Sequence, residues 1–346
     1  ALFRSHRRVP LARIESVDVA RPILARVFGL AEVRVEAVSE GGSEVRLSFV
    51  PEDVALALRQ QLTARAGAAS ADDDAEPAAR AEPEPAVRVP DRELALAYLV
   101  APLGGLVVLV VVSLVPLAFA GIEAVVSAVL ASAVGFLGAG ATLVMRAERL
   151  YGFSLAEVPE GLRLRRGLLN ELHQTVPLAR VQAVRIEEPA LWRLFNRSRL
   201  VVDVAGYRGG DRESRRDTAV LLPVATPDLV AAVLARVMPG IDLDGADLAL
   251  PPESARWRAP LRWRRYGVRW TATHAVSRSG MFRRQTDVVP HAKVQSLRVT
   301  QGPWQRALGL ATVHADTAGV TIAMRARHRA RAEAERLAWQ SRAAVA

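Results

Sequence analysis

The chain has 346 residues, of which 51% are hydrophobic and 24% are charged, and its formal net charge is +10. It contains no cysteine, which excludes disulfide scaffolds, cysteine-ligated metal sites and thiol catalysis. The length is sufficient for two or three domains with buried cores.

An internal repeat begins near the N-terminus. Each copy starts with Val-Pro and ends in alternating apolar residues, which is the period of a half-buried strand. Similarity over this length predicts repeated domains. We expect residues 1–63 to be the C-terminal part of a truncated first domain, because only eight residues precede the first copy. The copies align without gaps at residues 9–36, 176–203 and 289–316.

An acidic segment, residues 64–93, follows the first copy. It is rich in Ala, Asp, Glu and Pro and contains few large apolar residues. Such a composition cannot bury enough apolar surface to offset the entropy of ordering. We therefore predict a disordered linker, and an acidic docking tail is the alternative.

The most apolar part of the chain is residues 94–145, where Glu123 is the only charge in 52 residues. A membrane span takes about 20 apolar residues, so this run predicts a hairpin of two transmembrane helices. A buried pair of core helices is the alternative. Arg92 and Arg146 flank the run, and the positive-inside rule places both flanks in the cytoplasm. We therefore expect a multi-pass protein of the bacterial inner (plasma) membrane with cytoplasmic soluble domains.

Two further domains are expected at residues 146–242 and 267–346. In each, strand-like segments precede the repeated stretch and a helix follows it. The sequence Thr226-Pro227-Asp228 is a good helix start, because proline suits the first turn and an acid there complements the helix dipole. In the last domain we expect the helix near Met324–Ala344.

The repeated stretches resemble the membrane-flanked bacterial pleckstrin-homology (PH), or YdbT-like, family. The resemblance covers nearly the whole chain apart from the linkers, and it implies fold and topology more than activity. The implied fold class is α+β, mainly β in the soluble domains: tandem PH-like barrels of antiparallel strands with a C-terminal helix, and an α-helical transmembrane hairpin. The residues that carry the resemblance are Val176-Pro177, Arg180-Val181-Gln182, Val289-Pro290, Lys293-Val294-Gln295 and Arg306–Leu310.

A basic aromatic linker is expected at residues 243–266. Arginine and tryptophan together suit a membrane interface, where anionic headgroups attract the cation and the indole lies at the boundary. The same composition suits phosphate contacts to nucleic acid, but for Trp257–Tyr266 we favour the membrane surface. The candidate membrane or anion contacts are Arg163, Arg165, Arg166, Arg258, Arg262, Arg264, Arg265, Trp257 and Trp263.

No catalytic, cofactor or metal motif is present in the sequence. The six histidines form no HExxH arrangement, and there is no GxSxG elbow or Walker A sequence. Asp203 and Asp316 occupy equivalent positions in two copies, and we expect each strand-end carboxylate to pair with a nearby arginine.

The sequence therefore predicts a non-enzymatic, membrane-anchored binding protein without a cofactor. Its expected partners are anionic lipid headgroups and a membrane or envelope protein, in envelope maintenance or stress response, and not nucleic acid. The alternative is a structural scaffold that assembles a membrane protein complex through homo- or hetero-oligomerisation of its PH domains.

Overall fold

The structure is a computed structural model, and it describes most of the three repeated units. Isolated residues 25, 127, 135, 138, 140 and 145 are also described. The described ranges are 14–21, 28–37, 43–51, 53–55, 57–58, 61–62, 87–90, 92–94, 147–159, 161–168, 171–205, 220–241, 248–319 and 321–337.

Unit 1 contains three antiparallel strands followed by helical residues between 53 and 62. Its strands are β1 (Ile14–Arg21), β2 (Leu30–Ala37) and β3 (Ser43–Pro51). The alternating residues Val33 and Val35 face the core, with Val19 and Ala31 beside them. The alternation predicted for this copy is therefore confirmed.

The elements described in unit 2 are seven strands and two α-helices. Thr226 caps the second helix, because its Oγ1 accepts a hydrogen bond from Leu229 N at 3.4 Å, and the predicted helix start at Thr226-Pro227-Asp228 is confirmed. The elements are β4 (Val87–Arg88), β5 (Ser154–Val158), β6 (Gly161–Arg166), β7 (Glu171–Val176), β8 (Val181–Pro189), α1 (Ala190–Leu194), β9 (Ser198–Val204), β10 (Val220–Ala225) and α2 (Pro227–Val237).

Unit 3 repeats this order, but its last strand lies where we expected a helix. Residues 324–330 are a strand and helical residues begin at 331, because Met324 and Ala326 are buried while Arg325 between them is exposed. That alternation has the period of a strand. The elements are β11 (Gly267–Trp270), β12 (His274–Ser279), β13 (Arg283–Pro290), β14 (Val294–Thr300), α3 (Pro303–Ala307), β15 (Leu310–Thr317) and β16 (Met324–Ala330).

The sheets are shared between consecutive units and are not closed into separate barrels, which corrects the predicted fold. In the described part of the chain the strand orders are β3-β2-β1-β7-β6-β5-β4, β10-β9-β8-β13-β12-β11 and β14-β15-β16. The pairs β1–β7 and β8–β13 join one unit to the next through antiparallel ladders. Edge strands need partners for their backbone groups, and here the neighbouring unit supplies them.

The two junctions use the same register. In the first junction Arg21 lies opposite Glu171, and in the second Glu188 lies opposite Arg284. The two pairs occupy equivalent positions of the repeat. In the first junction the arginine belongs to the earlier unit, and in the second junction it belongs to the later unit. Opposite charges at facing positions favour this register over a shifted one.

The second junction also contains a nearly buried ion pair. Arg185 donates to Asp287 with Nε–Oδ1 at 2.5 Å and Nη2–Oδ2 at 3.0 Å, and Asp287 is 5% exposed. Burial raises the pKa of Asp287, although the hydrogen bonds from Arg185 oppose the shift. Removing either partner would leave an uncompensated charge in the junction.

The predicted transmembrane hairpin is not part of the observed fold. In the described part of the chain, no helix is long and apolar enough to cross a membrane, and this part of the predicted fold class is wrong. The expectation rests on length and lack of charge alone. Most of residues 94–145, and residues 64–86 of the acidic linker, lie outside the described residues. The described structure is mainly β, with antiparallel sheets.

Asp203 links unit 2 to unit 3. Its carboxylate is 2% exposed and accepts hydrogen bonds from Thr321 N at 3.1 Å and Ile322 N at 2.8 Å, in the turn between β15 and β16. A Cβ atom at Gly319 would collide with this carboxylate, so the turn depends on glycine there. Asp203 also interacts electrostatically with an arginine: burial opposes the rise in the pKa of Arg185, Asp287 causes most of it, and Asp203 adds to it. Asp316 pairs with Arg298 at 3.7 Å.

We predict that Asp203→Ala lowers the free energy of unfolding of unit 3 by about 2–3 kcal/mol, because two buried N–H groups lose their acceptor. Asp316→Ala is the matched control, since its pair with Arg298 is solvent-exposed and contributes little. Urea denaturation followed by hydrogen exchange of residues 321–322 measures both variants. Equal effects of the two substitutions would contradict the linking role of Asp203.

A second prediction concerns acid. The hydrogen bond with His173 lowers the pKa of Glu171 from 4.5 to about 2; burial opposes the shift and Arg165 adds to it. A carboxyl group with a lowered pKa in the folded state stabilises the fold above its unfolded pKa, and that contribution is lost as the pH falls. Between pH 4.5 and 2 the wild type should lose up to about 3 kcal/mol that Glu171→Gln does not lose. Urea denaturation at several pH values in this range measures the free energy of unfolding, with Glu157→Gln as the control because Glu157 is half-exposed. The same dependence of this free energy on pH in Glu171→Gln and in the wild type would refute the prediction.

Candidate anion-binding site

A cavity of about 540 Å³ opens in unit 3, between the basic aromatic linker and the strands β14, β15 and β16. Among the described residues that line it, none is acidic. Apolar lining comes from Pro260, Leu261 and the ring of Tyr266. The charged and titratable lining residues are Arg258, Arg262, Arg325, Arg327, His314 and His328.

The basic aromatic linker is held against unit 3 at several points. Ala249 pairs with Val268 through two backbone hydrogen bonds of 2.9 and 3.0 Å, and Arg329 Nη1 donates to Ala249 O at 2.9 Å. Farther along, Ala255 is fully buried within the 3-10 segment Glu253–Trp257. These contacts fix the backbone from which Arg258 and Arg262 extend.

The opposite wall depends on a β-bulge in β16. Ala311 faces Arg329 and Val313 faces Ala326, so Arg327 and His328 together oppose the single residue Thr312. His328 has φ +55°, in the left-handed region that most residues avoid. The bulge redirects both side chains toward the cavity, which is a common use of bulges beside sites.

The same bulge occurs in unit 1, where Ala31 faces Val50 and Val33 faces Leu47. Phe49 has φ +62° there and is 75% exposed. The left-handed position is therefore shared by units 1 and 3, whereas no residue of β10 in unit 2 has a positive φ. Unit 3 differs from unit 1 in the side chains at the bulge, which are Arg327 and His328.

Hydrogen bonds orient both histidines. Thr300 Oγ1 and His314 Nε2 are 2.9 Å apart, and Gln305 Nε2 donates to His328 Nδ1 at 3.0 Å. The Tyr266 ring meets the His328 ring edge-on with the centroids 5.5 Å apart. These contacts orient the side chains that line the walls of the cavity.

The positive charges act on these histidines. Burial lowers the pKa of His328, and Arg258 and Arg327 lower it further. Burial also lowers the pKa of His314, with Arg325 and Arg298 adding to the shift and Asp316 opposing it. Both shifts favour the neutral form of the imidazole rings. An anion among the guanidinium groups would offset this repulsion and favour protonation.

Two of the predicted contact residues, Arg258 and Arg262, lie in the cavity wall. On the same segment, Trp257, Arg264 and Arg265 are exposed and Trp263 is partly exposed, with the Arg264 guanidinium 5.1 Å from the centre of the Trp263 ring. These four do not line the cavity.

The three predicted contacts on β6 lie elsewhere. Arg165 pairs with Glu171, Arg166 is buried with 6% exposure, and Arg163 is partly buried. The structure therefore does not bring them together with the linker arginines, and their contact with a membrane stays a prediction.

Sequence reasoning missed Arg325, Arg327, His314 and His328. The alternation of β16 was the available signal, because it separates buried from exposed side chains at period two. The contribution of the bulge could not be found from the sequence, since it depends on the pairing of β16 with β15.

Comparison with known protein families identifies the repeated units. The sequence matches the family described as Bacterial PH domain at residues 1–66, 95–238 and 218–344. The chain belongs to the bacterial PH domain family. The match to three successive parts of the chain confirms the predicted repetition of PH domains. No curated protein and no solved structure matches the chain.

PH domains are typically non-catalytic binding modules, and the family match indicates no enzymatic family. Within the described residues, no group of His, Asp and Glu side chains is arranged to hold a metal ion. The chemistry available at the cavity is the binding of an anion by guanidinium groups, helped by hydroxyl and imidazole donors. The finer YdbT-like assignment stays a prediction.

We predict that sulfate, which remains a dianion across the relevant pH range, raises the pKa of His314 and His328. Sulfate should consequently bind more tightly as the pH falls toward 6, because binding takes up protons. Titration of the imidazole carbon resonances by NMR, with and without sulfate, measures the shift. His274, which lies outside the cavity and whose pKa is lowered by burial and by His291, is the control; an equal response of all three histidines would count against a specific site.

Proposed function

We propose that this protein is a non-enzymatic binding module that holds an anionic lipid surface through the third PH domain. The observation that carries the proposal is the convergence of four guanidinium groups on one cavity whose described lining contains no acid. Phosphate-bearing headgroups suit such a site, because arginine forms charge-assisted, bidentate hydrogen bonds to phosphate.

Exposed apolar side chains next to the cavity support a lipid surface as the source of the anion. Leu261 lines the cavity and is 76% exposed. Trp257, adjacent to Arg258 in the sequence, is 71% exposed, and the Arg256 guanidinium lies 5.3 Å from the centre of its ring. Tryptophan and leucine beside arginine suit the headgroup boundary, where apolar groups insert and the cations remain among the phosphates.

The shape of the site favours a headgroup over a nucleic acid. A concave cavity of this size is in the range of about 300–1,000 Å³ of small-ligand sites, whereas nucleic acids bind along extended basic surfaces. On this proposal the protein acts at the cytoplasmic leaflet of the bacterial cell membrane, whose anionic lipids attract basic segments. A role in envelope maintenance or stress response is consistent with that position.

A scaffold function is the second candidate. It is favoured by the strand pairing that already joins consecutive PH domains into shared sheets. A scaffold function requires a protein partner and does not require the cavity to bind an anion.

Vesicle binding by the full chain tests the lipid proposal. We expect the protein to bind vesicles of phosphatidylcholine with phosphatidylglycerol and not phosphatidylcholine alone. The double variant Arg258→Glu, Arg262→Glu should bind at least about tenfold more weakly, since each basic residue near an anionic surface contributes about 1 kcal/mol. Co-sedimentation measures the partition coefficient.

The matched control is the double variant Arg236→Glu, Arg336→Glu, which changes the net charge equally at two exposed positions outside the cavity lining. Equal losses in both double variants would show attraction by net charge only and would reject the site. Leu261→Ser tests insertion separately, because it leaves the charge unchanged and should still weaken binding to the anionic vesicles.

A further inference from the structure

Among the described strands, β14 is paired on one edge only. Its equivalents in the other PH domains, β1 and β8, are each paired on that side with a strand of the following domain. In the described part of the chain, β14 pairs with β15 alone. Gln295, Arg298 and Val299 are accordingly exposed, whereas Gln182, the equivalent of Gln295 in β8, is 7% exposed.

The helical turn after β14 is α3, and its equivalent in the second PH domain is α1. In the second domain α1 is covered by a neighbouring turn. There, α1 contacts the turn between β12 and β13: Ala190 N donates to Phe282 O at 2.6 Å, and Arg193 Nη2 to Met281 O at 3.3 Å.

In the third domain Arg306 occupies the place of Arg193 and is exposed. Trp304, on the same turn, is 71% exposed. Pro303 stands in place of Ala190 and has no N–H, so one of the two hydrogen bonds cannot form. The arginine that makes the other hydrogen bond is retained.

We propose that the edge of β14 and the adjoining turn α3 dock the strand hairpin of a PH domain from a partner chain. The incoming strand lies antiparallel to β14 in the register that joins β13 to β8. Backbone hydrogen bonds supply most of the attraction, as in other cases of strand addition to a sheet edge. This inference is independent of lipid binding at the cavity.

Charge complementarity defines the partner strand further. Arg298 is equivalent to Arg185, which faces Asp287 across the second junction. At present Arg298 has only a solvent-exposed pair with Asp316 at 3.7 Å, and such a pair holds a side chain weakly. The partner strand therefore carries a carboxylate opposite Arg298.

A second copy of this chain does not offer the required strand among its described residues. The strands of the right type, β7 and β13, are already paired with β1 and β8. The edge of β14 also lacks proline and lysine, which commonly protect edge strands from pairing. These observations favour a partner PH domain whose hairpin is free.

The absence of cysteine allows a register-specific test. For this test the full chain is extended at its C-terminus by a second copy of residues 238–337. The copy contains the segment that connects the second domain to the third, followed by the described part of the third domain. In the second junction Thr286 faces Ile186, and Val299 is the equivalent of Ile186. Cysteines are therefore placed at Val299 and at Thr286 of the appended copy.

We expect this pair to form an intramolecular disulfide at least about tenfold faster than a pair with Gln295→Cys in place of Val299→Cys, because facing residues in a ladder meet the distance requirement and shifted ones do not. Asp287→Arg in the appended copy should slow disulfide formation, because two arginines then face each other. Adding Arg298→Asp in the original copy should restore the rate. Equal rates for the two cysteine pairs, or no disulfide, would overturn the proposal. A disulfide between two Val299→Cys positions of separate molecules would identify a second copy as the occupant and would overturn it as well.

Discussion

The pairing of β8 with β13 is the interaction on which the described architecture depends. It completes a six-stranded sheet from two different units, and it carries the nearly buried ion pair of Arg185 and Asp287. Units 1 and 2 each contribute strands to a sheet that the following unit completes. Consecutive units are therefore held together by backbone hydrogen bonds, and a rigid arrangement of the repeats follows from the same ladders that stabilise each one.

The candidate site depends on this arrangement indirectly. The turn between β15 and β16 is fixed by Asp203 of unit 2, and β16 bears the bulge that directs Arg327 and His328 into the cavity. The linker that carries Arg258 is bound on the other side, through Ala249, to Val268 of β11. One wall of the cavity is thus anchored to unit 2 through Asp203, and the other to β11, the outer strand of the shared sheet. No described residue of unit 2 lines the cavity.

Much of the repeated unit could be predicted from local signals. Alternation located β2, β9 and β15, and proline with an acid after Thr226 located the start of α2. The sharing of sheets could not be predicted, because strand pairing between distant segments leaves no periodic signal in either strand. The error at β16 has a different cause. Arginines occur at every second position of Met324–Ala330, of which Arg325 is exposed and Arg329 is buried, yet an arginine-rich segment also suits a helix. Apolar length alone led to the expectation of a membrane hairpin at residues 94–145, whereas no helix in the described part of the chain is long and apolar enough to cross a membrane.

The three units show how one backbone acquires different surfaces. The bulge that exposes Phe49 in unit 1 presents His328 to the cavity in unit 3, so the left-handed position is retained while the side chain changes. In unit 2 the corresponding strand, β10, is buried at every residue, which excludes a charged cavity there. Likewise the edge occupied on β1 and β8 is open on β14. The third PH domain is thus the one unit, within the described residues, in which both a basic cavity and an open strand edge remain accessible to partners.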